Sequence, residues 1–165
     1  MLFTGELTIT PPLQQAQVQY LQAFSQSRRV RRNANIVANE PDSLRLAVEL
    51  PIGVEGEYFV GDGSDEACLE SIIDGNTPPS DQPSLYCCLS VNDTGTILLN
   101  GDPDNTARAV PHWIEYLVEH FFRRWNCAVN GTIDWMHEDW SQHGRLSVRN
   151  NVIRHRVKNG PHPKC

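Results

Sequence analysis

No lysine or arginine occurs between residues 51 and 104, although that stretch holds eleven carboxylates: Glu55, Glu57, Asp62, Asp65, Glu66, Glu70, Asp74, Asp81, Asp93, Asp102 and Asp104. Such a block can attract a basic partner over long range. Long apolar runs are missing too. None approaches the roughly 20 residues that a membrane-spanning helix needs, so no membrane partner is expected. The N-terminal Met1-Leu2-Phe3-Thr4-Gly5-Glu6 lacks the basic and apolar regions of a secretory signal. Cys68, Cys87, Cys88, Cys127 and Cys165 follow no framework spacing, so reduced thiols and a cytoplasmic location are expected.

The common catalytic signatures are also lacking. There is no Walker loop, no GxGxxG after a strand, no HExxH and no GxSxG. Gly61-Asp62-Gly63-Ser64-Asp65-Glu66 lacks the alternating ligands and terminal Glu of an EF-hand loop. His137, Glu138, Asp139 and His143 are the densest set of possible metal ligands. Ser141 and Gly144 among them indicate an irregular surface loop, so no metal and no cofactor are expected. Cys87-Cys88 lies in a strand, where alternation sends one side chain to the core and the other outward. Cys127 and His120 could make a thiol–imidazole pair, but nothing in the sequence orients them as a nucleophile requires.

The 165 residues fit one domain, read as residues 1–158 with a polar tail at 159–165. Leu7-Thr8-Ile9-Thr10 reads as a strand ended by Pro11-Pro12. A helix follows over 14–30, with Val18, Leu21 and Phe24 on one face. Arg28, Arg29, Arg31 and Arg32 then fall at its end, where cations complement the helix dipole. Residues 44–50 alternate as a half-buried strand, and residues 57–60 read as another short one. Residues 61–83 read as a long loop with at most one short helix around 66–73.

Residues 85–91 and 96–99 flank Asn92-Asp93-Thr94-Gly95, the strongest hairpin signal in the chain. A helix over 109–125 carries Val110, Trp113, Ile114, Leu117, Val118 and Phe121 on one apolar face, with Pro111 in its first turn. A strand over 128–135 follows. A closing hairpin over 145–149 and 152–156 bears Arg145, Arg149, Arg154 and Arg156, while Trp125, Trp135 and Trp140 are read as core. Together these elements predict an α+β two-layer sandwich, two main helices on a largely antiparallel sheet. Their order allows a ferredoxin-like βαββαβ core with an inserted acidic loop region.

Gly5-Glu6-Leu7-Thr8-Ile9-Thr10-Pro11-Pro12-Leu13, the pairing of Trp113-Ile114-Glu115-Tyr116-Leu117 with Val129-Asn130-Gly131-Thr132-Ile133-Asp134-Trp135, and Gly144-Arg145-Leu146-Ser147-Val148 resemble a family of uncharacterised bacterial cytosolic proteins. Its mark is a strand-Pro-Pro-helix start combined with an "NGxIxW" strand. The resemblance implies a bacterial cytosolic origin and carries over no catalytic residue.

These observations point to a non-enzymatic protein that binds and neutralises a protein partner, as an immunity protein or phage-type inhibitor does. Asp62, Asp65, Glu66, Glu70 and Asp74 are the candidate contact residues, and the partner is expected to be a basic toxin or effector. Nucleic acid is disfavoured by the net charge of −6. Two alternatives remain open. One is an enzyme on a small molecule or nucleotide, using Glu66, Glu70, His137 or His143 as acid and base. The other is a structural component of a larger assembly.

Overall fold

Alternating Leu7 and Ile9 against Glu6, Thr8 and Thr10 dictate a strand with one wet face. In the computed structural model, which describes residues 2–62, 69–94, 96–99 and 106–160, this is β1, Leu2–Thr10. Helix α1 spans Gln15–Gln26 and buries Val18, Leu21 and Phe24. The chain continues through β2 (Arg31–Arg32), α2 (Ala34–Val37), α3 (Ser43–Ala47), 3₁₀ turns at Val54–Gly56 and Leu69–Ser71, and β3 (Ile72–Asp74). Then come β4 (Leu89–Val91), β5 (Thr96–Leu99) and the long helix α4, α-helical over Thr106–Leu117 and a π-turn over Val118–Phe122. β6 (Ala128–Met136), β7 (Gln142–Arg149) and β8 (Val152–Asn159) close the fold.

The main sheet has the order β4-β5-β1-β6-β7-β8, all neighbours antiparallel. β1-α1-β4-β5-α4-β6 thus forms the βαββαβ unit, and the closing hairpin extends it by two strands. Register places Leu7 opposite Ile97 and Gly131, and Ile133 opposite Gly5 and Leu146. The inward residues meet Phe24, Trp113, Ile114 and Phe121 from the two helices in one core. Gly5 and Gly131 have positive φ, and a Cβ on either would overlap a backbone carbonyl of the neighbouring strand. The β1–β6 seam therefore needs glycine at both.

Residues 27–88 form an insert between α1 and β4, held partly by the small β2–β3 sheet. It departs from the sequence reading in several places. Helix α1 ends at Gln26 with no basic residue in its last turn, so the arginines do not complement its dipole. The predicted strand at 44–50 is instead the short helix α3 and a turn. Leu46 is 62% exposed, whereas Arg45 is buried. The Arg45 Nε lies 2.6 Å from Asp42 Oδ2, and its Nη1 donates to the Leu50 carbonyl at 2.8 Å. A short alternating run serves either period, and here a buried ion pair decided which side faces in. Residues 57–60 pair with no strand, and the loop expected over 61–83 contains β3.

All six predicted α4 face residues are buried. The π-turn adds one residue, which turns the following side chains by about 100° and brings Phe122 inward beside Phe121. Among the described residues, no helix is long and apolar enough to cross a membrane.

Candidate functional site

The acidic residues singled out in the sequence have separate settings. Asp62 is exposed; its Oδ1 accepts from the Ser43 backbone N–H at 2.7 Å and from the Ser43 hydroxyl at 2.8 Å. It thereby places a carboxylate at the first turn of α3, where the helix dipole favours it. Asp74 accepts from the Asn76 N–H (2.9 Å) and the Thr77 hydroxyl (2.6 Å). These bonds, Thr77 first, hold its carboxyl below the usual range. Glu70 is exposed in the turn before β3. Asp65 and Glu66 lie outside the described residues.

The Arg28–Arg32 run binds the insert to the helices. Arg28 donates to the Gly75 carbonyl through Nε and Nη2. Arg29 is 3% exposed and donates to the carbonyls of Phe59 (2.8 Å) and Glu57 (2.7 Å). Arg31 pairs with Glu55 at 2.6 Å, and Arg32 donates to the Ser71 hydroxyl at 2.8 Å. These arginines are structural clamps whose partners are mostly uncharged oxygens.

A buried polar cluster sits where the insert meets the π-turn. His120 Nδ1 lies 2.6 Å from the Tyr58 hydroxyl and 3.2 Å from Glu57 Oε1. Tyr116 donates to Glu57 Oε1 at 3.1 Å, and Gln82 donates to the Tyr116 hydroxyl at 3.0 Å. The rings of Tyr116 and His120 stack with centroids 4.0 Å apart. Burial pushes the Glu57 carboxyl up, but bonds from His120, Tyr116 and Tyr58 outweigh it and hold it below the usual range. Burial, reinforced by Glu57, raises the Tyr58 hydroxyl. A carboxylate-oriented imidazole of this kind can take up and release a proton. The i,i+4 spacing of Tyr116 and His120 on a predicted helix was the one sequence signal for this cluster; nothing marked Glu57.

The other residues considered for chemistry are apart from it. Burial raises the Cys87 thiol and pushes Cys88 up to about 12, so neither is a thiolate near neutrality. The Cys127 thiol donates to the Trp125 carbonyl, whereas His120 Nδ1 faces Tyr58 and Glu57. His137 and Asp139 shape the β6–β7 turn, where Asp139 accepts from Ser141. Among the described residues, no group of three or more His, Cys, Asp or Glu is arranged to hold a metal ion. Trp135 is buried and its Nε1 donates to His155 Nε2 at 3.1 Å, but Trp140 is 51% exposed in a turn at φ +59°, not in the core.

The sheet face turned away from the helices is open. Leu146 and Val148 point inward, so Arg145 and Arg149 point outward, and the register adds Arg154, Arg156 and Lys158 from β8 to that face. Arg145 clasps Asp134 with two bonds of 2.7 and 3.0 Å. Nearby lies a groove of about 610 Å³, lined by Leu2, Met136, His143, Arg145, Arg156 and Lys158 among others.

No protein-family model, curated protein or solved structure matches this chain.

Proposed function

We propose that this chain is a non-enzymatic binding protein that masks a basic protein partner through its acidic insert. The observation that supports the reading is the division of charge over the described surface. Asp62, Glu70, Asp81 and Asp93 are exposed, and Asp74 is held ionised by its turn. The cations of the closing hairpin gather on the open sheet face instead. Arg28 and Arg29 hold carbonyl oxygens of the insert rather than its carboxylates. A surface divided in this way orients an approaching partner before contact.

The test is capture from the native host on the immobilised chain, followed by assay of whatever is retained. The reading expects a stoichiometric basic protein whose own activity disappears in the complex. Recovery of no protein at stoichiometric level, or of one whose activity is untouched, overturns it.

Acid–base catalysis on a small molecule is the second reading, and the Glu57–His120–Tyr58–Tyr116 cluster favours it. Turnover lost in both Glu57→Gln and His120→Asn, with the fold intact, would establish it over the first.

A further inference from the structure

The last strand combines three features that folding alone does not require. First, among the described residues β8 is an edge, paired only with β7, and it is eight residues long where the opposite edge strand β4 has three. Natural sheets keep long edges covered or short, because a row of unpaired N–H and C=O groups accepts another strand. Second, seven of its eight residues are exposed, including Val152 (55%) and Val157 (51%). Third, Arg154, Arg156 and Lys158 stand at alternate positions on one face, about 6.7 Å apart along the strand.

The register sharpens the electrostatics. Arg156 lies directly opposite Arg145, and Lys158 opposite His143. Like charges facing each other across an antiparallel pair are destabilising. Asp134, the acid beside them on β6, is already clasped by Arg145. The cations thus repel a second copy of the same edge while remaining open to carboxylates with a two-residue period.

We infer that β8 is a docking edge for an extended acidic segment of a partner protein, which adds as a further strand and sets alternate carboxylates against Arg154, Arg156 and Lys158. The inference concerns a different surface from the acidic insert and does not rest on the function proposed for it. A polynucleotide fits less well. No Phe, Tyr or Trp among the described residues stands on the open face to stack a base, and a phosphate backbone leaves the strand's amides unpaired.

The experiment titrates the full chain with an eight-residue alternating Glu-Val peptide, followed by amide chemical shifts and calorimetry. Saturable binding with shifts concentrated on residues 152–159 is expected. The variant R154E/R156E/K158E should bind this peptide at least about tenfold more weakly and should accept an alternating Lys-Val peptide instead. Methylating alternate peptide nitrogens of the Glu-Val probe should abolish binding by removing the backbone ladder. Should the charge-reversed chain fail to fold, R154Q/R156Q/K158Q serves for the same loss. Absence of binding overturns the inference. So does equal binding by the variant or by the methylated peptide, or tighter binding of a thymidine oligonucleotide than of the Glu-Val probe.

Discussion

Arg29 carries more of the architecture than any other charged residue described. Besides the two insert carbonyls, it donates to Gln82 Oε1 at 3.3 Å and to the Ser27 hydroxyl at 2.7 Å, and its guanidinium lies 4.2 Å from the Phe24 ring centroid. Burial lowers its pKa, yet a guanidinium starts high enough to stay charged. Arg29→Met should cost about 3 kcal/mol or more, because several buried acceptors lose their donor. Arg29→Lys should recover little, since one ammonium cannot reproduce the planar fork. Urea unfolding measures both, and a loss below about 1 kcal/mol for the methionine variant would contradict the clamp. The arginine run was legible in the sequence, but its role was not. Its main partners are backbone carbonyls 28 to 47 residues away, and a carbonyl has no residue-type signature.

Glu57 supplies a pH prediction at the same scale. Its folded-state pKa is lowered, so its contribution to stability is fully present above the ordinary carboxylate value and is lost as pH falls through the lower folded value. Stability should therefore decline on the acid side of about pH 4.3. Glu57→Gln should flatten that limb in a pH series of thermal unfolding. An unchanged acid limb in the variant would show that Glu57 is not held by His120 and the tyrosines.

At the scale of elements, the two leucines that the sequence treated alike separate sharply. Leu117 is 3% exposed and Leu46 is 62% exposed. Leu117→Ala should cost about 2–5 kcal/mol. Leu46→Ala should change stability by less than about 0.5 kcal/mol, whereas a half-buried strand there would have made it costly. Denaturant midpoints with unchanged slopes decide both. Helix α4 was legible because six apolar residues repeat over three turns, and the closing hairpin because turn residues separate two alternating runs. The segment over 44–50 was not, because Arg45 and Asp42 form a buried pair that an apolar pattern cannot register. The π-turn left no mark in the pattern either, since one extra residue merely brings a second phenylalanine inward. Gly131→Ala is expected to disrupt the β1–β6 seam, and retention of wild-type stability would argue against the close approach at Glu6.

For the whole molecule, the order of elements was enough to reach an α+β two-layer sandwich, because two amphipathic helices and a set of alternating strands have few ways to share one core. The insert over 27–88 was far less legible. Its order comes from arginine-to-carbonyl bonds, Asx turns at Asp74 and a two-residue strand, none of which has hydrophobic periodicity. The candidate site followed the same division. The uneven charge was visible in the sequence, but the common face of Arg145, Arg149, Arg154, Arg156 and Lys158 needed the β7–β8 register.

The central claim is that the insert's carboxylates steer and hold a basic partner. The direct test is the association rate of the captured partner across ionic strength, for the wild type and for D62N/D65N/E66Q/E70Q/D74N. Asparagine keeps the acceptor oxygens that Asp62 offers Ser43 and Asp74 offers Thr77, so the local turns survive while the charge is removed. The account predicts fast, steeply salt-dependent association for the wild type and a slower, flatter dependence for the variant. Equal rates, affinities and salt slopes for the two proteins would contradict it.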